Sequence, residues 1–463
     1  MGVHSSSFLG FLIAAAVLLA AVSCNTTVLH LEKTPSASFE RHVAQDRARH
    51  ARLFDGVANF PVYGSADPDL YGIYYTKVKL GSPPQEFSVQ IDTGSDLLWV
   101  NAKSCANCPR SSSFGIGLRF FDAAASSTAK AVPCPSKTCP DQCTENGQCS
   151  YTIKYEDRSV TYGVYMVDRI GLDFIRPDST IGTSSAAIGF GVSTYQSGTL
   201  GDSALAVDGI FGLGRGPLSP ISQLASRGVI PPVFSHCFKG EGLGGGTFVL
   251  GEISEPGMVY TPLVSAQPHY NLYLQSIAVN GELLPVDPAV FATSTGRGTF
   301  VDSGTTLAYL VEEAYEPFIS AVTAVVSPSA TTKIIGGQQC YLLSSSVSQV
   351  FPVVSLNFAN NASLILKPAD YLYEFVGDAR GTWCLGFLKK PGLTILGDLA
   401  LKNKIFVYDL FRQQIGWTTN YDCLKAAHVS VPKQRSSSSS SRDMLMLLML
   451  LPQAIIILFL QLS

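Results

Sequence analysis

The stretch Val89-Gln-Ile-Asp92-Thr93-Gly94-Ser95 decides the fold, because the chain repeats it as Gly298-Thr-Phe-Val-Asp302-Ser303-Gly304-Thr305-Thr306. Each copy is an apolar run that ends in Asp, a hydroxyl residue, Gly and a second hydroxyl residue. Two apolar residues and a Gly follow each Asp, 120 residues later at Ile210-Phe211-Gly212 and 95 residues later at Ile395-Leu396-Gly397. The repeat predicts two related lobes that differ in the length of their insertions.

The two Asp residues of the repeat predict the chemistry. A single Asp-Thr-Gly is ordinary turn chemistry, so the prediction depends on two copies with matching flanks. If a pseudo-twofold axis brings the loops together, Asp92 and Asp302 become neighbouring carboxylates, and one of them keeps a proton. Such a pair offers a base that takes a proton from water and an acid that protonates a carbonyl oxygen. We therefore expect amide hydrolysis that uses water alone, with no metal, no cofactor and no covalent intermediate.

The residues beside the two Asp are expected to support them. The first hydroxyl residue of each copy ties the two loops together, and the second bonds the carboxylate. The support residues of the predicted site are Thr93, Gly94, Ser95, Ser303, Gly304 and Thr305.

Length and composition limit the class of protein. The chain has 463 residues, 32 Lys+Arg against 35 Asp+Glu, and a net charge of −3. This balance argues against a nucleic-acid binder, which needs a basic surface. The 41 Gly and 26 Pro have no period, and short alternating apolar runs recur from Tyr71 to about Trp417. These features predict an all-β fold, with helical patterns only at 219–228 and 311–326.

Both ends of the chain have the composition of targeting signals. The apolar run from Phe8 to Val22 is short for a membrane span and fits a signal peptide, predicted as residues 1–24. The Ser-rich segment 426–443 and the uncharged apolar residues 444–463 predict a GPI-anchor signal, with attachment near Ser436. A tail-anchoring helix is the alternative. We expect a monomer on the extracellular face of the plasma membrane, and a soluble or vacuolar protein is the other candidate.

Between the ends, residues 25–70 are polar and are predicted to be a prosegment or linker outside the lobes. The N-terminal lobe is placed at 71–255 and the C-terminal lobe at 256–425. Asn361-Ala-Ser363 is a predicted glycosylation site in a secreted chain.

The cysteines predict disulfides. Ten remain once Cys24 leaves with the signal peptide, an even number that indicates five disulfides in a secreted chain. Six lie within residues 105–149, which predicts a surface insertion that is cross-linked by disulfides. Zinc is the competing interpretation of Cys105-Ala-Asn-Cys108, but no His accompanies the pair and the compartment is oxidising.

The motifs resemble those of the pepsin-like aspartic endopeptidases, and more narrowly the plant GPI-anchored aspartic proteinase-like proteins of the nepenthesin-like group. The resemblance covers about residues 71–425 and includes Asp92-Thr-Gly-Ser-Asp-Leu-Leu-Trp99, Phe234-Ser-His-Cys237, Val301-Asp-Ser-Gly-Thr-Thr-Leu-Ala-Tyr309 and Ile395-Leu-Gly-Asp398. It implies a bilobal pepsin-like fold of two pseudo-twofold related, β-barrel-like lobes. It also implies a central active-site cleft and an extended peptide or protein substrate.

The same resemblance implies a flap, a β-hairpin that covers the cleft, here residues 155–163. Tyr155 matches the flap tyrosine, and Trp99 is implied as the partner whose indole N–H bonds its phenol. Tyr162 is the alternative tyrosine of this hairpin. Arg158 stands where the family usually has Gly, which is a departure from the pattern.

The resemblance also implies the disulfide pairing. Ala102 and Val192 stand where the relatives have two further cysteines, which leaves Cys105 and Cys108 for each other. The implied pairs are Cys105–Cys108, Cys134–Cys149, Cys139–Cys143, Cys237–Cys423 and Cys340–Cys384.

Other functions have less support. The chain has no Gly-x-Ser-x-Gly, and His236 beside Cys237 is expected to be a packed structural residue, so a Ser-His-Asp hydrolase is disfavoured. A catalytically silent binding protein or inhibitor on the same fold is the main alternative to an enzyme. Both Asp loops are intact, which favours the enzyme.

Overall fold

The computed structural model describes residues 57–65, 72–135, 139, 142–176, 180–240, 245–377, 381–418 and 423. The predicted signal peptide, most of the predicted leader, the anchor site near Ser436 and the apolar tail lie outside these residues. Among the described residues, we find no helix whose length and hydropathy suit a membrane crossing.

Strands dominate the first half of the chain. They are β1 (Val57–Ser65), β2 (Ile73–Leu80), β3 (Gln85–Asp92), β4 (Leu98–Ala106), β5 (Lys130–Ala131), β6 (Ser150–Lys154), β7 (Val160–Ile175), β8 (Ile181–Ser197), β9 (Gly209–Gly212), β10 (Val233–Phe238) and β11 (Gly246–Leu250). Helix α1 (Pro220–Ser226) starts with Pro and is followed by Gly228 at a φ of 70°. The helical pattern at 219–228 predicts this element.

The second half has the same character. Its strands are β12 (Val259–Pro262), β13 (Tyr270–Leu272), β14 (Leu274–Val279), β15 (Glu282–Leu283), β16 (Gly298–Val301), β17 (Ala308–Val311), β18 (Ala330–Ile335), β19 (Gln338–Leu343), β20 (Val354–Phe358), β21 (Ala362–Leu366), β22 (Leu372–Glu374), β23 (Thr382–Leu385), β24 (Phe387–Lys390), β25 (Leu393–Leu396), β26 (Ile405–Asp409) and β27 (Gln414–Trp417). Helices are α2 (Glu312–Val326), α3 (Val347–Val350) and α4 (Asp398–Leu401). Helix α2 buries Ala314, Phe318 and Val322, which recur every four residues and therefore share one face.

Four strands around each copy of the repeat have the same arrangement. The order β3-β9-β4-β8 in the first half corresponds to β16-β25-β17-β24 in the second. In both sets the first pair is parallel, the middle pair antiparallel and the last pair parallel. The predicted all-β, bilobal architecture with an internal repeat is confirmed.

A shared sheet joins the two lobes beneath the repeat. Strands β10 and β11 of the first half continue through β26 into β27 and β12 of the second half. Aromatic rings pack along this joint: Phe234 and Tyr408 stack with centroids 4.4 Å apart, and Tyr270 meets Tyr408 edge-on at 4.7 Å. Because all three side chains are fully buried, the joint holds the lobes together by apolar burial.

Strand β1 corrects the predicted boundary of the leader. Residues 25–70 are predicted to lie outside the lobes, but β1 pairs with β11, β2 and β7 inside the large sheet. Val57, Phe60 and Val62 are each less than 5% exposed, so their burial makes this segment part of the fold. The prediction is wrong for 57–65 because Val57-Ala-Asn-Phe60 is a short run that alternates too briefly to stand out.

Two of the implied disulfides are also wrong. Cys134 is bonded to Cys143 and Cys139 to Cys149, with Cα separations of 5.4 and 5.5 Å, in place of Cys134–Cys149 and Cys139–Cys143. The Cys134 amide donates to the carbonyl of Gly147, and the Cys149 amide donates to the carbonyl of Val132. Cys134 therefore lies opposite Gly147, and Cys149 is its diagonal neighbour on the paired segment. Diagonal residues lie roughly 7–8 Å apart, beyond the ~4.4–6.8 Å that a disulfide spans.

The other three disulfides are the pairs that the resemblance implies. They are Cys105–Cys108, Cys237–Cys423 and Cys340–Cys384. Cys340 and Cys384 face each other directly across β19 and β23. The Cys237–Cys423 bond closes a separation of 186 residues and fixes Cys423 to the shared sheet.

Candidate active site

The two Asp loops occupy equivalent positions in the two lobes. Asp92 ends β3, and its carbonyl accepts a hydrogen bond from the Leu213 amide at 2.7 Å, just beyond β9. Asp302 follows β16, and its amide donates to Leu396 on β25 at 3.0 Å. Each aspartate is therefore fixed by the parallel strand that carries the downstream apolar-apolar-Gly motif.

Two buried hydroxyl groups tie the loops to each other. The Thr93 amide donates to the Ser303 hydroxyl at 3.1 Å, and the Ser303 amide donates to the Thr93 hydroxyl at 2.9 Å. The Ser303 hydroxyl in turn donates to the carbonyl of Ile91 at 2.9 Å. Thr93 and Ser303 have no exposed surface, so these bonds are shielded from water.

The carboxyl groups are supported by matching donors. In the first lobe, the Gly94 amide donates to Asp92 Oδ1 at 2.8 Å, and the Ser95 hydroxyl donates to Asp92 Oδ2. In the second lobe, Gly304 and Thr305 bond Asp302 in the same way, at 2.8 and 2.6 Å. The donors hold each side chain in one orientation, as the hydroxyl pattern of the repeat predicts.

The glycines of the two loops allow the aspartates to meet. A Cβ atom on Gly94 would lie 2.5 Å from Asp302 Oδ1, and a Cβ on Gly304 would clash with Asp92 Oδ1. A side chain at either position would therefore occupy the place of the opposite carboxyl group. Asp92 and Asp302 thus lie side by side between the lobes.

The environment of the pair favours one shared proton. Asp92 is 5% exposed, and burial, followed by the charge of Asp302, raises the pKa of the Asp92 carboxyl to about 7. Hydrogen bonds from Ser95 and Gly94 act in the opposite direction on this pKa without overcoming the burial. The site therefore holds a carboxylic acid next to a second carboxyl group at acidic pH.

Asp398 is a third carboxyl in this region, to which the sequence patterns assign no role. It is 3% exposed, its amide donates to Thr305 at 2.8 Å, and its Oδ1 has no hydrogen-bond partner among the described residues. Burial, then the charges of Asp302 and Asp92, raises the pKa of this carboxyl well above its ordinary value. The sequence contains one sign of this residue, which is a difference between the two copies of the repeat. Leu213 follows the downstream Gly in the first copy, whereas Asp398 follows it in the second.

The flap brings Tyr155 close to Asp92. The Trp99 indole N–H donates to the Tyr155 phenol oxygen at 2.8 Å, which is the contact that the resemblance implies. Burial, followed by the charge of Asp92, raises the pKa of the Tyr155 phenol well above its ordinary value. Tyr162 instead stacks on Tyr195, with ring centroids 5.0 Å apart, and is 46% exposed.

Arg158 keeps the shape of the flap turn despite replacing a Gly. Its φ is 70°, in the left-handed region, and its amide donates to the Tyr155 carbonyl at 2.9 Å. The Tyr155 amide closes the turn by donating to Ser159 at 2.9 Å. The backbone therefore follows the course that a Gly would take, with a side chain in an unfavourable conformation.

The remaining predicted residues lie away from the pair. His236 is fully buried, its Nε2 is 3.0 Å from the Tyr408 hydroxyl, and burial lowers its pKa to about 3. Asn361 lies on an exposed turn before β21. In the part of the chain that the structure describes, no three His, Cys, Asp or Glu side chains cluster as a metal site would require.

Comparisons with known proteins identify the family of the chain. Residues 74–252 match the family model described as xylanase inhibitor N-terminal, and residues 269–419 match xylanase inhibitor C-terminal. Aspartic proteinase 36 of Arabidopsis thaliana is 37% identical over 402 residues, which cover 83% of this chain and 81% of that protein. Nepenthesin-1 of Nepenthes gracilis is 30% identical over 395 residues, which cover 80% and 83% of the two chains.

Solved structures extend the likeness in fold. The crystal structure of edgp superposes with a TM-score of 0.64 at 18% identity, covering 79% of this chain and 96% of that chain. Conglutin gamma, a basic 7S globulin from lupine seeds, gives a TM-score of 0.63 at 21% identity, with coverages of 80% and 96%. The chain belongs to the pepsin-like aspartic proteinase family of plants, whose two halves the xylanase-inhibitor domain models describe.

Proposed function

We propose that the chain is an aspartic endopeptidase that hydrolyses peptide bonds in extended peptide or protein substrates. The observation that carries the proposal is the carboxyl pair, because both aspartates and both sets of supporting donors are present. The raised pKa of Asp92 supports a role in acid, since one carboxyl group then keeps a proton.

The reaction uses the pair as acid and base together. The ionised carboxyl takes a proton from water, and the water oxygen attacks the peptide carbonyl carbon. The protonated carboxyl gives its proton to the carbonyl oxygen, which forms a neutral tetrahedral intermediate. The protonated carboxyl group then gives its proton to the peptide nitrogen, and a hydroxyl group of the intermediate gives its proton to the other carboxylate. The C–N bond breaks, an amine and a carboxylic acid leave, and the pair returns to its starting state with one proton. Tyr155 on the flap excludes bulk water from this step.

The test is to incubate the purified chain with an unrelated, denatured protein as substrate at acidic pH and to look for cleavage of that substrate. Mass spectrometry should find internal cuts that leave new amino and carboxyl termini. The matched control is Asp92→Asn, which keeps the shape of the side chain and removes its acid. Fragments that are equally abundant with the control would contradict the proposal.

A second candidate is a binding protein without activity, because the matching family models are named for xylanase inhibitors. The intact pair favours the enzyme, since a protein that acts only by binding has no need of either carboxyl group. The candidates are distinguished by adding the purified protein to a xylanase and measuring xylan hydrolysis. Inhibition that persists in Asp92→Asn, together with no proteolysis, would favour the binding protein.

We further propose that the protein is secreted and held outside the plasma membrane by a GPI anchor near Ser436, as a monomer glycosylated at Asn361. The support comes from the apolar ends, the Ser-rich segment and the sequon. A phosphatidylinositol-specific phospholipase should release the protein from membranes. Retention after this treatment would favour a tail-anchoring helix, and recovery without membranes a soluble or vacuolar protein.

A further inference from the structure

The tip of the flap contacts the opposite lobe. Glu156 follows the flap tyrosine, and its carboxylate lies 3.0 Å from the ammonium group of Lys390 at the end of β24. The two residues are 234 positions apart in the chain and belong to different lobes. This ion pair therefore links the flap of the N-terminal lobe to β24 of the C-terminal lobe, one residue along the chain from the Tyr155 whose phenol is affected by the charge of Asp92.

Neighbouring residues fix the turn that carries Glu156. Asp157 accepts bonds from the Ser159 amide at 2.9 Å and from the Ser159 hydroxyl at 2.7 Å. The Thr199 hydroxyl also bonds Asp157, and the Thr199 amide donates to the Ser159 hydroxyl at 3.0 Å. Asp157 is thus used within its own lobe, whereas Glu156 contacts Lys390 of the other lobe.

The two members of the ion pair differ in exposure. The side chain of Lys390 is 23% exposed and lies 5.4 Å from the centre of the Tyr309 ring. The side chain of Glu156 is 80% exposed. If the pair opens, Glu156 regains water easily, whereas the ammonium group of Lys390 stays partly buried and loses its counter-charge.

We propose that Glu156 and Lys390 form a strap across the cleft, and that Lys390 selects substrates with an acidic side chain beneath the strap. This inference rests on the proposed function, since an extended peptide must open the strap to reach the pair. A Glu or Asp of the peptide replaces Glu156 as the partner of Lys390 and offsets the loss of that ion pair. A basic side chain of the peptide would pair with Glu156 and would bind less tightly than an acidic one pairs with Lys390, because the exposed Glu156 is already well hydrated.

The strap itself is tested without catalysis. Hydrogen exchange of residues 151–164, measured by mass spectrometry, should be roughly 1.5- to 5-fold faster in Lys390→Gln, the range expected for a single exposed ion pair. The matched control is Lys77→Gln, because Lys77 lies 3.0 Å from Glu86 and 5.6 Å from the Tyr63 ring, and both of these partners belong to its own lobe. The control should leave exchange in the flap unchanged. The double charge reversal Glu156→Lys with Lys390→Glu should restore slow exchange.

Substrate selection is tested by binding, so that loss of activity does not obscure it. Fluorescent peptides that differ only in one Glu or Gln, moved along the sequence, are titrated against Asp92→Asn at a pH of about 6, where peptide carboxylates are ionised. At one position, the Glu peptide should bind about two- to fivefold more tightly than the Gln peptide. This preference should disappear when Lys390→Gln is added and persist when Lys77→Gln is added.

Two results would overturn the proposal. One is equal exchange of the flap in Lys390→Gln and the unsubstituted protein, which would mean that no strap exists. The other is a Glu preference that is absent at every position or does not depend on Lys390. Neither readout needs cleavage, so failure of the strap and failure of the protease proposal are distinguishable.

Discussion

Thr93 and Ser303 exchange hydrogen bonds across the boundary between the lobes, each amide donating to the other residue's hydroxyl at 3.1 and 2.9 Å. They lie 210 positions apart, yet both side chains are fully buried at the point where the carboxyl groups meet. The exchange fixes the distance between two loops that belong to separate lobes. The geometry of Asp92 and Asp302 therefore depends on two residues that do not themselves react.

Removing one hydroxyl of this exchange should be costly. Ser303→Ala deletes the bond to Ile91 and leaves the Thr93 amide buried without an acceptor, so we expect a loss of about 2–3 kcal/mol in the free energy of unfolding. Urea unfolding measures this loss. The control Thr93→Ser keeps the hydroxyl and should cost about 1 kcal/mol or less, the value of one buried methyl group. Equal stability of Ser303→Ala and the unsubstituted protein would show that the exchange is not a stabilising contact.

The raised pKa of Asp92 predicts how stability depends on pH. Because the pKa is about 7 in the folded protein against an ordinary 3.8, the folded state binds the proton more tightly than the unfolded state does. Asp92 contributes roughly 4 kcal/mol to the free energy of unfolding. This contribution is complete below about pH 4 and is lost as the pH rises through about 7. Urea unfolding of the unsubstituted protein and Asp92→Asn across this range measures the difference. A difference between the two proteins that stays constant with pH would contradict the raised pKa.

The left-handed conformation of Arg158 predicts a stabilising substitution. Arg158→Gly removes the strain of a side chain at a φ of 70° and should raise the free energy of unfolding by about 0.5–1 kcal/mol, after allowing for the greater freedom of Gly in the unfolded chain. Arg158→Ala is the control, since it removes the charge and keeps the strain. If both variants gain equally, the effect comes from charge, and the strain argument fails.

Strand β1 predicts where the chain can be shortened. A chain that begins at Leu70 lacks the buried Val57, Phe60 and Val62, and the loss of roughly 5–9 kcal/mol is comparable to the stability of a whole domain. We expect that chain to fail to fold, whereas one that begins at Gly56 folds. Circular dichroism and thermal unfolding of the two chains compare them. A stable, cooperatively unfolding chain from Leu70 would show that β1 is dispensable.

The fold and the carboxyl pair follow from local patterns in the sequence. Alternation identifies the strands, and the two copies of Asp-hydroxyl-Gly place Asp92 and Asp302 at equivalent ends of β3 and β16. What the sequence does not predict depends on contacts between distant segments. The register that sets Cys134 opposite Gly147 separates Cys134 from Cys149, and a spacing of cysteines does not contain that register.

Asp398 and Glu156 show the same limit at the site. Nothing local distinguishes a buried Asp398 from a solvated one, because its burial comes from the packing of α4 against the second loop. Glu156 reads as an ordinary exposed residue of a turn, since its partner Lys390 is 234 positions away. The flap tyrosine, by contrast, is implied by the resemblance, which carries information about contacts that single-chain patterns lack.

The central claim is that Asp92 and Asp302 act as one unit. The most direct measurement is kcat/KM on one peptide at acidic pH for Asp92→Asn, Asp302→Asn and the double variant. We predict that kcat/KM falls at least about 1,000-fold in each single variant. The double variant should be no less active than the less active of the two single variants, because either change alone destroys the shared proton. A single variant that keeps more than about a tenth of the activity, or losses that multiply in the double variant, would contradict the account.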